Sequence, residues 1–387
     1  MTSPTSTPGS YFDPYNPGPV SEPEPGRRSN GGITLLDVAR AAGVHSSTVS
    51  RALDPQQRKR VKEPTRRVIL DAAARLGYRP DLIARGLRNG KTATVGVVAA
   101  DLGNTFVTPI IHGLTGAIET AGMLPLIAET EDNPERFAII LDHMLSRRVD
   151  AIVVIAARTG DQTILEAVGK LVPVVIAGRP LNATSLPQVI QDDRRGGQLV
   201  ADHFHALGHD LVVQLQGPSD VLNFSRRAQG FSERCQAAGM SEISLRGRAS
   251  FPMIGDGQIL METLLERIGR FPTAVFAHND NIAVGALSRL RRAGLRVPDD
   301  VSLAGYNDLP MVDQLSPPLT TVRYRSLEIG SAAGEMVKQL LEGRTPADIC
   351  LQPELIVRES TKDSRGSSEH PSSVDVEVDS VGPAVLE

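Results

Sequence analysis

A run of short hydrogen-bonding side chains opens the chemistry of this chain: H-S-S-T-V-S-R, residues 45–51. Ser46, Ser47, Thr48, Ser50 and Arg51 offer hydroxyls and one cation, while Val44, Val49 and Leu53 mark an apolar side at helical spacing. Hydroxyls and a guanidinium on one helix face can meet base edges in the DNA major groove and the phosphates beside it. Leu35, Val38, Ala39 and Ala42 form an apolar face just upstream, and Gly43 supplies a residue that takes positive φ in a sharp turn. Two short helices about a tight turn are therefore predicted, the second facing DNA. An ordinary helical hairpin with a polar outer face fits the same letters.

The sequence holds no G-x-S-x-G, no H-E-x-x-H, no Walker loop and no G-x-G-x-x-G after a strand. Cys235 and Cys350 have no metal-ligand spacing. His112, His143, His203, His205, His209 and His278 form no ligand set and are read as surface residues. No enzyme activity, catalytic residue, metal or cofactor is expected.

The elements that must position the polar helix are legible in charge and composition. The 387-residue chain has net charge −4, yet 34–91 carries 13 Lys/Arg against 5 Asp/Glu, an excess of eight positive charges. The remainder therefore carries −12. A basic segment on an acidic body points to a polyanion as partner of the segment alone. The third predicted helix lies within V-K-E-P-T-R-R-V-I-L-D-A-A-A-R-L-G, with Pro64 in its first turn, an apolar stripe of Val68, Ile69, Ala72, Ala73 and Leu76, and Gly77 at its end. Residues 1–32 and 363–387 are polar and lack periodicity, and are expected to be disordered. The segment 81–91 is too short to hold a helix unaided in water. No apolar stretch approaches the ~20 residues that span a membrane, and no secretory leader is visible, so a cytoplasmic protein is expected.

From Thr92 the pattern becomes α/β. Apolar runs at 94–100, 124–130, 151–157, 172–178, 211–217, 274–279 and 301–306 alternate with helical segments. Continuous Val/Ile runs predict parallel strands buried on both faces, and the length calls for two lobes.

At this point the chain resembles the lactose-repressor/galactose-repressor family of bacterial transcription regulators. The motifs T-L-L-D-V-A-R-A-A-G-V, S-T-V-S-R-A-L, L-G-Y-R-P, I-A-R-G-L-R, N-D-N-I-A-V-G-A-L, V-S-L-A-G-Y-N-D and S-P-P-L-T-T-V occur in the family's order between Thr34 and Arg358. The resemblance implies an all-α helix-turn-helix headpiece (33–80), a hinge helix (81–91) and a two-lobed, periplasmic-binding-protein-like core of doubly wound parallel sheets (92–362). Chain crossings between lobes are expected near 208/209, 324/325 and 352/353. It implies that Ser46, Ser47 and Arg51 read bases, that Thr34, Thr48 and Ser50 hold phosphates, and that Tyr78 touches the backbone. Leu87 falls where the family wedges a leucine into the minor groove, and Ala84, one turn earlier, keeps that face slim. Asp81 departs from the family's usual Asn, and the loop 54–60 is longer and more basic than in common members.

Ligands of α/β sheets sit beyond the carboxyl ends of the strands. Asp101, Phe106, Arg179, Asp193, Asn279 and Asn307 fall at such ends, and Arg227 falls where the family places an effector-binding arginine. These residues suit a polyol, whose hydroxyls both donate and accept, with Phe106 stacking on an apolar sugar face. Asp280 and Asp308 read more simply as helix N-caps, and Asp101 is open between the two roles. Pro252, with Phe251 beside it, stands near a position that is often aromatic, and Asn307 replaces a common Asp.

The resulting expectation is a repressor that binds a palindromic operator in double-stranded DNA as a homodimer, or a tetramer, under control of a small molecule, a sugar or sugar derivative, with no membrane partner. The rival is a sugar-binding protein of transport type without DNA function, for which the headpiece would have no use.

Overall fold

The structure, a computed structural model, describes residues 33–54, 60–78, 91–245, 247–267 and 269–364. The chain divides into two compact units, 1–85 and 86–387.

The first unit is helical. α1 (Leu35–Ala42) starts at Thr34, whose side chain and that of Asp37 cap each other's backbone N–H groups. Gly43 ends α1 at φ 64°, as the turn requires. α2 (Ser46–Leu53) follows, and α3 (Glu63–Leu76) carries Pro in its first turn and ends on Gly77 at φ 64°. Val38, Ala39, Val49, Ala52, Ile69, Ala72 and Ala73 form one small core, with Val44, Leu53 and Tyr78 packed at its margin. Val68, expected in the apolar stripe of α3, is 48% exposed. The stripe is narrower because small Ala72 and Ala73 bring α3 close to its neighbours.

The second unit holds two six-stranded sheets. In the first lobe, β1 (Thr94–Ala99), β2 (Leu124–Glu129), β3 (Ala151–Val154), β4 (Val174–Ala177), β5 (Gln188–Gln191) and β11 (Ile349–Leu351) run in the order β11-β5-β4-β3-β1-β2, all parallel. In the second, β6 (Leu211–Leu215), β7 (Ser241–Ile243), β8 (Ala274–Ala277), β9 (Ser302–Asn307), β10 (Thr320–Arg323) and β12 (Glu354–Ile356) run in the order β12-β10-β9-β8-β6-β7. β12 is antiparallel to β10 and the rest are parallel. The sheets are flanked by α4 (Val107–Glu119), α5 (Pro134–Ser146), α6 (Gln162–Gly169) and α11 (Ser326–Leu341) in the first lobe, and by α7 (Asp193–Ala206), α8 (Leu222–Ala238), α9 (Ile254–Leu265) and α10 (Asp280–Arg292) in the second.

Three details differ from expectation. The first crossing between lobes falls at Gln191–Asp193, ahead of α7, because α7 packs on α8 in the second lobe. β2 is an edge strand paired with β1 alone, and its Leu124 is 59% exposed, so its apolar run is not buried on both faces. His209 and His278 are buried rather than on the surface.

The α7–α8 contact fixes a functional side chain. A Cβ on Gly197 would overlap the carbonyl of Arg227, and one on Gly230 that of Arg194. Only glycine allows the two backbones this close, and the contact sets the height of Arg227 over the sheet.

Candidate functional site

Two regions bring the candidate residues together, one in each unit. In the helical unit, α2 displays Ser46, Ser47, Thr48 and Ser50 partly exposed and Arg51 exposed. Ser47, Ser50 and Arg51 share one face by their i, i+3, i+4 spacing. His45 is the N-cap: its Nδ1 accepts from the backbone N–H of Ser47 at 3.2 Å and lies 2.9 Å from the Ser47 hydroxyl. That cap was not read from the sequence, although His45 stands directly before the helix. The Thr34 hydroxyl donates to Asp37 at 2.6 Å, so it is engaged in capping α1. Tyr78 follows α3 and donates its backbone N–H to Ala73. Ala84 and Leu87, and with them the expected hinge helix, lie outside the described residues, as do both terminal segments and residues 55–59.

In the second unit a cavity of about 260 Å³ opens between the lobes. Asp101, Phe106, Arg179, Arg227, Asn279 and Asn307 all line it. Asp193 does not. It is fully buried beneath, as the first residue of α7, and meets Arg227.

Arg227 sits in the second turn of α8 and is 3% exposed. Its Nε donates to Asp193 Oδ1 at 2.8 Å and its Nη1 to the His278 carbonyl at 2.6 Å. The guanidinium lies over the Tyr306 ring at 3.6 Å and nears Phe224 at 5.1 Å. Burial opposes the charge on Arg227, and Asp193 together with Tyr306 and Tyr324 more than restores it, so the guanidinium is held cationic. Burial pushes the Asp193 carboxyl up, and Arg227 and Asn223 offset part of that.

Arg179 follows β4 and grips Asp132 with both nitrogens, at 2.6 and 3.2 Å. Burial alone would raise the Asp132 carboxyl; Arg179 and Arg158 together hold it below the usual range. Phe106 heads α4 and packs edge-on against Tyr324 with centroids 4.7 Å apart. The Asp101 carboxylate accepts from the Gly103 N–H at 2.7 Å.

Asn279, not Asp280, caps α10: its Oδ1 accepts from Ile282 N at 2.8 Å, and its Nδ2 donates to the Pro252 carbonyl. Asp280 is instead fully buried. It accepts from the Thr321 hydroxyl and the Leu309 N–H, and burial raises it to about 7. Asp308 also caps nothing; it pairs with Arg323 and Arg358.

Two amide oxygens stand out. Asn307 Oδ1 and Asn223 Oδ1 are buried at the cavity and have no hydrogen-bond partner. A buried acceptor left unmade costs ~1–3 kcal/mol, so each invites a donor from whatever fills the space. Asn307 also carries φ 117°, a conformation that residues with a side chain rarely adopt. Asn223 directs its Nδ2 to Asp193 at 2.6 Å and to the Gly178 carbonyl at 2.9 Å.

Asp132, Asn223, Phe224 and Met253 line the cavity without having been picked from the sequence. The strand-end rule reaches Asp132 once applied to β2, and Asn223 lies one helical turn before Arg227. Nothing in the letters marks Phe224 or Met253. Phe251 and Pro252, left open by the sequence, both line the wall. Among the described residues no cluster of His, Cys, Asp and Glu has the arrangement of a metal site.

The chain matches known proteins along both units. The family model described as bacterial regulatory proteins, lacI family, matches 34–81, and that of a periplasmic binding protein-like domain matches 201–361. The HTH-type transcriptional repressor PurR of Photobacterium profundum is 29% identical over 340 residues, covering 85% of this chain and 99% of that protein. The lac repressor dimer bound to operator and the anti-inducer ONPF superposes with TM-score 0.77 at 26% identity, covering 86% of this chain and 100% of that one. The transcriptional regulator CelR in complex with cellobiose gives TM-score 0.65 at 27% identity, covering 85% and 99%. With the lacI model on the helical unit and the periplasmic binding protein-like model on the lobed unit, this chain belongs to the lacI family of bacterial regulatory proteins.

Proposed function

We propose that the protein is a transcriptional repressor whose hold on a palindromic operator is set by a small polyol in the interlobe cavity. The observation that carries this reading is the cavity itself. It pairs two partnerless amide oxygens, Asn223 and Asn307, with the apolar ring of Phe106. Sugar hydroxyls supply donors to the first, and an apolar sugar face covers the second. The cellobiose complex of CelR supports a sugar as the ligand class.

Arg227, Asp101, Arg179 and Asn279 frame that ligand, and Asp193 acts from beneath by fixing Arg227. On DNA, Ser46, Ser47 and Arg51 read base edges, Thr48 and Ser50 hold phosphates, and Thr34 and Tyr78 contact the backbone at the margins. The hinge at 81–91 carries Ala84 and the minor-groove wedge Leu87. The assembly is a homodimer, as in the lac repressor structure with operator. The exposed apolar side chains Ile254 and Ile259 on α9 give the second lobe a surface suited to a partner subunit. No helix among the described residues is long and apolar enough to cross a membrane, and a cytoplasmic site of action fits a DNA reader.

Effector and operator affinities must be coupled reciprocally, typically by ~1–3 kcal/mol. Gel-shift titration of an operator fragment in rising salt tests the DNA half: affinity must fall steeply as counterions compete. Salt-independent retention of the fragment would contradict it. Thermal-shift screening of sugars tests the cavity, where a bound ligand raises the melting point by mass action.

A further inference from the structure

The cavity is wired to the opposite lobe through one shared carboxylate. Asp132, from the first lobe, is held on the cavity side by Arg179. The Oδ1 that takes the shorter Arg179 bond also accepts from Arg158 Nε at 3.2 Å, so the two guanidinium groups share one oxygen. Arg158 also belongs to the first lobe, and its Nη1 pairs with Asp220, which follows β6 in the second lobe. The backbone joins in: Thr159 donates its N–H and its hydroxyl to the Asp220 carbonyl, both at 2.9 Å. Arg158 is thus a two-headed cation, one nitrogen on the cavity's carboxylate and another across the gap. Its side chain is only 16% exposed while that of Asp220 is 52% exposed, so the pair sits at the rim of the cleft, where one partner meets water.

We propose that Arg158, Thr159 and Asp220 form a clasp that holds the two lobes closed, and that Asp132 makes the clasp responsive to what occupies the cavity. The inference rests on the effector-controlled reading of that cavity and adds how occupancy reaches lobe closure. A half-exposed ion pair is weak and screened by salt, which suits a latch that must open. Other contacts between the lobes, among the described residues, include hydrogen bonds to neutral acceptors: Asn223 and the Tyr324 hydroxyl to the Gly178 carbonyl at 2.9 and 2.8 Å, Gln191 to the Tyr306 hydroxyl at 3.2 Å, and Arg226 to the Asn182 side chain at 3.3 Å. Those persist in salt; the Arg158–Asp220 pair weakens. Asp132 fixes Nε and so aims Nη1 at Asp220. A ligand that draws Asp132 or Arg179 inward releases that aim.

The test is the distance between lobes in the full-length protein, without DNA. Fluorophores at Leu171 and Glu266, exposed on the first and second lobes, report closure by single-molecule energy transfer. Cys350 is replaced by Ser beforehand, and labelled protomers are diluted into unlabelled dimers. In the wild type, raising salt must move population toward the longer distance. Asp220→Asn must do so at low salt, by roughly two- to fivefold in the open-to-closed ratio, the range an exposed ion pair supports. Asp220→Glu must restore the closed population, and Asp220→Asn must lose the salt response. A distribution identical to wild type in Asp220→Asn overturns the clasp. Asp132→Asn must shift the ratio in the same direction, and an unshifted ratio overturns the link to the cavity. Because no DNA is present, a protein that failed to bind any operator would still report on the clasp.

Discussion

The guanidinium of Arg227 lies 3.6 Å from the centre of the Tyr306 ring while its Nε is bonded to buried Asp193. A residue picked as an effector contact is therefore also a structural cation, sealed between an aromatic face and a carboxylate. Removing it leaves Asp193 without its charged partner in a fully buried site. Arg227→Ala is expected to lower the stability of the lobed unit by about 3–5 kcal/mol, as for any buried pair broken on one side. Asp193→Asn with Arg227→Met removes both charges and is expected to regain part of the loss. Urea unfolding of Arg227→Met, Asp193→Asn and the double variant gives the coupling; additive effects would contradict the pairing.

Asn307 separates stability from response. Its φ of 117° stores strain, and its side-chain oxygen has no partner in the protein. Asn307→Gly relieves the backbone and is expected to raise stability by up to about 1 kcal/mol. The same change removes an acceptor from the cavity, so the metabolite-dependent change in operator affinity must weaken. Denaturant midpoints and gel shifts on one preparation check both; a less stable protein with an unchanged response would contradict both parts.

The pH dependence carries two opposed contributions. Burial lowers His209 from 6.5 to about 4, so below pH 6.5 the unfolded chain binds a proton that the folded protein refuses. Stability falls with decreasing pH across that window, by about 1.4 kcal/mol per unit. Burial raises Asp280 from 3.8 to about 7, so the folded protein keeps a proton that the unfolded chain releases, and stability falls as pH rises across 3.8 to 7. These two slopes oppose each other between about 4 and 6.5, with buried His278 adding to that of His209 and buried Asp193 to that of Asp280, and variants separate them. Relative to wild type, His209→Gln must gain as pH drops through this window, and Asp280→Asn must gain as pH rises through it. Chemical denaturation at several pH values reads both; parallel curves for wild type and variants would contradict the assignment.

The architecture was readable wherever strands were apolar runs, as in β1, β3, β4, β8 and β9. β10 was not, because its buried positions are polar. Thr320 and Thr321 are fully buried, and their hydroxyls are satisfied by Arg358, Thr361 and Asp280, partners distant in sequence. β7 and β11 are three residues each, too short for a periodic signal. β5 buries Gln188 and Gln191, whose amides are answered by Leu181, Tyr306 and Arg323. At the cavity, strand ends led to Asp101, Arg179 and Asn307, since parallel topology places those ends together. Asp280 was misread as a cap because Asn279 stands one residue earlier and both types cap helices. The Arg158–Asp220 pair joins segments of two lobes, and spacing along the chain carries no trace of it.

The reading face of α2 yields a contrast between two exposed residues. Arg51 has no role in the headpiece core, so Arg51→Ala is expected to leave helical content intact. Operator affinity should drop by the ~1–3 kcal/mol of one bidentate base contact. Thr34→Ala removes the cap of α1 along with a contact to the DNA backbone, and should cost about 1 kcal/mol of headpiece stability, which Arg51→Ala does not. Circular dichroism and gel shifts distinguish them; a helix-content loss in Arg51→Ala would contradict its placement.

The central claim is that one chain reads DNA and answers to a small molecule. The most direct measurement is selection of genomic fragments by the purified full-length protein near physiological ionic strength, with and without a metabolite extract. The account predicts that a few fragments with palindromic sites are retained and that extract changes their retention. Retention of no fragment above background in either condition, or retention that extract leaves unchanged, would contradict it.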